Sequence, residues 1–193
     1  MKNTNIIKES VRGYQPLDIT DLLYQNREVF IDSEINPDTA VAVIKQLVWL
    51  DRESNDEISI YISSPGGCVT SGLAICDTIE ALKSPVRTIC IGLAASMAAV
   101  IFLHGDRRVM LNRSKVMLHD PAFGGGTLKG KKPHEIETEL NELKEIQKAL
   151  VDIISQKTGR PKDVIYDITK EDTYFDLQKA LDFGIATGVL EKF

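Results

Sequence analysis

The sequence predicts an α/β fold of strand–helix crossover units with a long projecting helix. Three observations point to layered strands and helices. Runs rich in β-branched and aromatic residues, EISIYIS at 57–63 and RTICIG at 87–92, read as buried strands. Each is followed by a segment with helical character, VTSGLAICDTIEALK at 69–83 and ASMAAVIFLHG at 95–105, and this alternation is that of crossover units. Past residue 124 the pattern changes to one long amphipathic helix.

Residues 1 to about 13 are polar without a clear period and read as a mobile N-terminal segment. Asp18 caps a short helix over ITDLLYQN, and REVFID alternates as a strand. Asn36 followed by Pro37 starts a helix whose broad apolar face holds Ala40, Val41, Val43, Ile44, Leu47, Val48 and Leu50. SPGG breaks the strand before it can continue past residue 64. The helix carrying Ser96 ends near Gly105, and RRVML and SKVMLHD are short strands. GGG at 124–126 and the run Lys129-Gly130-Lys131-Lys132 lead into the long helix, about Pro133 to Lys157. Its Ile136, Leu140, Leu143, Ile146, Leu150, Ile153 and Ile154 fall three and four residues apart, and its other faces are charged. A helix of that length reaches roughly 37 Å at 1.5 Å per residue, which favours an arm burying its stripe against another copy. Thr158-Gly159 stops it; RPKDVIYDI and Leu177–Phe183 are shorter helices, the latter closed by Gly184, and ATGVLEKF is a tail. The 193 residues form a single domain, with about 124–158 as the handle region.

Composition narrows the function. At 43% hydrophobic and 26% charged residues the chain is an ordinary globular protein. A net charge of -5 offers no general attraction to nucleic acid or to an anionic membrane, and the short basic run does not reverse that. No segment is apolar for long enough to span a bilayer. Cys68, Cys76 and Cys90 lack metal-ligand spacing and read as reduced core or near-core thiols of a cytoplasmic protein.

The chemistry centres on IGLAASMAAV at 91–100. Ser96 follows a buried strand and lies in the first turn of an apolar helix, where backbone N–H groups are unpaired. A serine there acts as a nucleophile if a base reaches it. His104 lies two turns along the same helix and His134 in the charged arm, which leaves His119, at a strand end, as the base. An orienting acid is required. Asp120 points to the opposite face from His119, and spacing does not choose among Asp167, Asp172 and Asp176. SSPGG at 63–67 and the N–H of Met97 offer oxyanion donors.

YISSPGGCVTSGLAICDTI, RTICIGLAASMAAV, LNRSKVMLHDP with the following FGG, and ITKEDTYFDLQKALDFG together resemble the proteolytic subunit of the Clp protease family, the caseinolytic serine peptidases, from about residue 14 onward. The resemblance implies Ser96 as nucleophile, His119 as base, Asp172 as orienting acid, and Gly67 and Met97 as oxyanion donors. It implies a crotonase-like spiral of ββα/βαβ units and a homo-oligomer of two stacked seven-membered rings, with the long helix as handle between them. Unfolded polypeptide would be cut in the enclosed chamber, fed by an AAA+ unfoldase. It implies no metal or cofactor in this subunit; ATP belongs to the partner.

Several positions depart from the family pattern. Ala98 stands where glycine is usual, and Asp120 where glutamine is usual. Ser59, Ala81 and Val109 replace aromatics of the unfoldase-docking pocket, of which Tyr61, Trp49 and Leu190 persist, so docking of a standard partner is in question. Lys170-Glu171 reverses the usual order of charges, which would pair like rings and oppose a paralogous one. Two alternatives follow: a catalytically silent or regulatory ring subunit working with a typical paralogue, and a crotonase-type acyl-CoA enzyme.

Overall fold

The computed structural model describes residues 5–10, 13–123 and 130–192. The glycine run at 124–126 and Lys129 lie outside these residues. Strands β1 (Asn5–Ser10) and β2 (Gly13–Asp18) pair antiparallel in a hairpin of their own, where the sequence gives no strand signal. Asp18 then accepts from Thr20 N at 2.8 Å and caps α1 (Ile19–Gln25), as its side-chain chemistry predicts.

The main body alternates strand and helix. It runs β3 (Glu28–Ile31), α2 (Pro37–Glu53), β4 (Ile58–Ser64), α3 (Val69–Ala81), β5 (Val86–Ala95), α4 (Met97–Leu103) and β6 (Arg107–Met110). The start of α2 is fixed by a capping box: Asn36 accepts from Thr39 N, and the Thr39 hydroxyl accepts from Asn36 N, with Pro37 in the first turn. Then follow β7 (Lys115–Leu118), α5 (Pro133–Thr158), α6 (Lys162–Thr169), β8 (Thr173–Phe175), α7 (Leu177–Phe183) and β9 (Gly188–Val189). The α/β expectation is met: the seven-stranded sheet is parallel throughout except where β7 meets β8.

Strand β5 organises the sheet. Its first half, Arg87–Cys90, pairs with β6, and its second half, Leu93–Ala95, pairs with β7. The sheet thus forks, one branch leading to β9 and the other to β8. The apolar helix α4 has all seven residues buried, so it sits inside the core rather than on its surface. Phe102, Ile101 and Leu103 on α4 join Leu47 and Leu50 of α2 and Ile58, Ile60 and Ile62 of β4 in one cluster.

Helix α5 has 26 residues, one more than its sequence period predicts. Only Leu150, Val151 and Ile154, in its C-terminal half, are buried. Toward its N-terminus Leu140 is 40% exposed and Ile136 and Leu143 are half-buried, so the described residues cover the upper part of the apolar stripe only in part.

Candidate active site

Strand β5 does not stop at residue 92, as the sequence reading has it, but continues to Ala95. Pairing with β7 carries it through GLAA, a stretch with little strand propensity of its own. Ser96 is therefore the cap residue between strand and helix, not a member of the first helical turn. Its φ of 54° and ψ of −123° lie outside the usual L-residue regions. Such a turn costs on the order of 1–3 kcal/mol and pushes the side chain out at the apex of a strand–helix bend. The Ser96 N–H donates to Met117 O at 2.9 Å, the last bond of the β5–β7 ladder. The hydroxyl caps nothing; it lies 2.8 Å from Nε2 of His119.

His119 lies one residue past β7, and the β7–β8 register explains its second partner. Leu118 pairs with Thr173, so one rung further His119 faces Asp172. Nδ1 of His119 lies 3.3 Å from Oδ1 of Asp172. The other acids are engaged elsewhere: Asp167 with Lys170 at 2.7 Å, Asp176 with Lys179 N at the cap of α7, and Asp120 with the Gln147 amide at 2.6 Å. Asp120 lies past the end of β7, so strand alternation does not set its direction; its carboxylate is turned to Gln147. His104 caps the C-terminus of α4, with Nδ1 on Val100 O, and His134 is exposed at the start of α5.

The glycines of SSPGG have separate tasks. Ile35 N donates to Gly66 O, and Cys68 N donates to Ile35 O, each at 2.8 Å. Gly66 N is taken by Ser64 Oγ, which itself donates to Ser33 O. This pinning leaves the N–H of Gly67 without a partner among the described residues, on an exposed residue with φ of +145°. The N–H of Met97, first in α4, is likewise unpartnered among them, as helix starts require. Both donors named from the sequence are thus free to meet negative charge.

The Clp protease family profile matches residues 11–193 of the chain. A protein of Dehalococcoides mccartyi named ATP-dependent Clp protease proteolytic subunit is 37% identical over 190 residues, covering 97% of this chain and 93% of that protein. The chain belongs to the Clp protease family.

Within this Clp protease fold, several residues that shape the site carry only weak sequence signals. A Cβ on Gly66 would stand 2.8 Å from Ser96 Cβ and 2.9 Å from Met97 N, so this glycine backs the serine turn. Gly72, inside α3, lets the Met97 side chain lie flat on that helix; a glycine within a helical pattern is the available hint of close packing. Beside Ser96 an apolar recess of about 20 Å³ is walled by Val69, Val100, Leu118, Leu150 and Ile154, two of them from α5. A larger cleft, about 670 Å³, lies elsewhere, between α1, α2 and β3, where Trp49 stacks on Tyr24.

Cys76 and Cys90 are buried and their thiols are pushed up by desolvation, as core cysteines should be. Cys68 corrects the sequence reading, for it is exposed at the start of α3. Hydrogen bonds from Ser71 and Thr70 bring its pKa down to about 7. Val109, where the resemblance leads one to expect an aromatic, forms a small apolar cluster with Tyr61, Ile89, Ile91 and Leu190. Ser59 accepts from Arg87, whose guanidinium faces Glu57, and Phe30 stacks on Tyr61. The polar Ser59–Arg87–Glu57 contacts thus lie beside the stacked Phe30 and Tyr61 rings.

Proposed function

We propose that this chain is a serine endopeptidase subunit that cuts unfolded polypeptides inside an oligomeric ring chamber fed by an ATP-dependent unfoldase. The observation that carries it is the 2.8 Å contact between Ser96 Oγ and His119 Nε2 at a turn flanked by two unpartnered N–H groups. Ser96 Oγ attacks the scissile carbonyl carbon while Nε2 of His119 takes its proton. Asp172 orients the ring through Nδ1 and stabilises the imidazolium. The carbonyl oxygen, now an oxyanion, accepts from Gly67 N–H and Met97 N–H. As the C–N bond breaks, His119 returns the proton to the leaving amine and an acyl ester remains on Ser96. Water, deprotonated by His119, attacks the ester; the imidazolium then reprotonates Ser96 Oγ and the new carboxyl terminus leaves. Each proton is carried by side chains, so this subunit needs no metal or cofactor, and ATP is consumed by the partner.

The partly exposed upper stripe of α5 supports contact with another copy through that helix, and the family resemblance supports two seven-membered rings. The polar rim around Ser59 and Arg87 supports an unfoldase contact that leans less on aromatic anchors. No described helix is long and apolar enough to cross a membrane, and three free thiols fit a reducing cytoplasm.

The test uses the purified chain. Ser96→Ala should abolish turnover of a short fluorogenic peptide and labelling by a fluorophosphonate, while native mass spectrometry finds the same assembled particle. A parent chain that assembles yet neither labels nor turns over would refute the reading in favour of an inert ring subunit.

A further inference from the structure

Asp120 directly follows the base, yet its carboxylate has no step in the acyl-transfer scheme. Its backbone N–H donates to Thr169 O at 2.7 Å, which fastens the end of β7 to the end of α6. Its Oδ2 accepts from Gln147 Nε2 at 2.6 Å. Gln147 lies on α5 where the helix passes from its exposed upper half to the buried Leu150, Val151 and Ile154. One side-chain bond therefore joins the chain segment that presents the imidazole to the seat of the projecting helix.

The charged groups around this point are few. Asp172 and Glu171 precede β8, Asp167 and Lys170 close α6, and Lys144 and Lys148 flank Gln147 along α5. Lys170 is the cation whose field reaches Asp120, and it is already bonded to Asp167. The direct side-chain hydrogen bond to the Asp120 carboxylate thus comes from a neutral amide. Without that bond, a carboxylate one residue from the imidazole is free to turn toward it. Opposite charges within ~4–6 Å favour imidazolium, and an imidazolium cannot take the Ser96 proton.

We propose that Gln147 is a positioning residue for the peptidase reaction: by holding Asp120 it keeps a second carboxylate off His119 and ties the base to the seat of the long helix. This rests on the Ser96–His119 reading given above.

The experiment measures kcat and KM for a short fluorogenic peptide from about pH 5 to 9 with the full assembled chain. The variants are Gln147→Leu, Asp120→Asn and the two combined. In Gln147→Leu, kcat should fall with little change in KM, and the acid limb should move up by about one pH unit. Asp120→Asn retains an acceptor for the amide and carries no charge, so its limb should match the parent. The double variant should match the parent limb as well. Gln147→Glu, which sets carboxylate against carboxylate, is the second route to the same release and should move the limb in the same direction. A limb unmoved in both Gln147 variants overturns the proposal, as does one that moves equally with and without Asp120. A parent with no Ser96-dependent turnover would instead sink the peptidase reading, so the two failures are told apart.

Discussion

Replacing Gly66 by alanine should damage catalysis far more than it damages folding. A Cβ at that position would stand 2.6 Å from Ala95 O, 2.8 Å from Ser96 Cβ and 2.9 Å from Met97 N. Relieving the shortest of these to an ordinary 3.4 Å contact requires about 0.8 Å of movement, and the atoms that must move are the serine turn itself. Misplacement of a reacting group by ~1 Å costs roughly 10²-fold in rate. The backbone adds its own penalty: at φ of +91° an L-residue costs about 1–2 kcal/mol, and overpacking adds about 1–3 kcal/mol. Gly159→Ala is the control, since φ there is +72° and nothing lies within 4 Å of the added Cβ. It should show the backbone penalty alone, with parental turnover. Denaturant unfolding gives the stability of both variants; fluorogenic peptide turnover and the fluorophosphonate labelling rate give catalysis. A Gly66→Ala chain that keeps turnover within a few-fold of the parent, at the stability of Gly159→Ala, would refute the claim that this glycine exists to make room for the serine turn.

Three further outcomes are expected. Asp172→Asn should lower kcat on the order of 10²–10⁴-fold, the range for losing general-base function, with little change in KM; a loss of less than about threefold in steady-state assays would leave this carboxylate without a role. Burial holds the His104 pKa below its ordinary value, so the unfolded chain takes up the proton first as pH falls. Stability from this group is therefore whole above the unfolded pKa of about 6.5 and is lost as pH drops from there through the folded value. Denaturant midpoints across that window should fall for the parent and flatten in His104→Gln; parallel curves would contradict this. The recess of about 20 Å³ beside Ser96 is small and walled by apolar side chains. Peptides with Ala or Val before the scissile bond should be cut faster than those with Phe, and Ile154→Ala should narrow the gap; a parent that prefers Phe would show that the walls yield.

The parts of the fold legible in the sequence are those whose signal is local. EISIYIS and RTICIG declare themselves through β-branched residues, and Asn36-Pro37 through capping chemistry. Strands β8 and β9, three and two residues long, carry no such signal, because only their neighbours β7 and β6 make them strands. The same reason hid the end of β5. GLAA reads as the approach to a helix, and it is extended only because β7 lies beside it. Cys68 misleads in the opposite direction, since its small neighbours imitate a core segment but lie at an exposed helix start.

The candidate site divides along the same line. Ser96, Met97 and the glycines sit in one or two short motifs, whereas the choice of acid among Asp167, Asp172 and Asp176 is invisible to spacing. A single register resolves it: once Val116 pairs with Phe175, His119 must meet Asp172, and a slip by one residue would bring Glu171 or Thr173 opposite the imidazole instead. The fork of β5 fixes the other half. Ala95 pairs with Met117, Ser96 N–H closes the ladder on Met117 O, and the hydroxyl then stands at the imidazole two residues further along. The imidazole is thus placed by two ladders that meet at β7, one parallel and one antiparallel. A change that loosens either ladder should separate hydroxyl, imidazole and carboxylate together, because all three positions are read from the same strand.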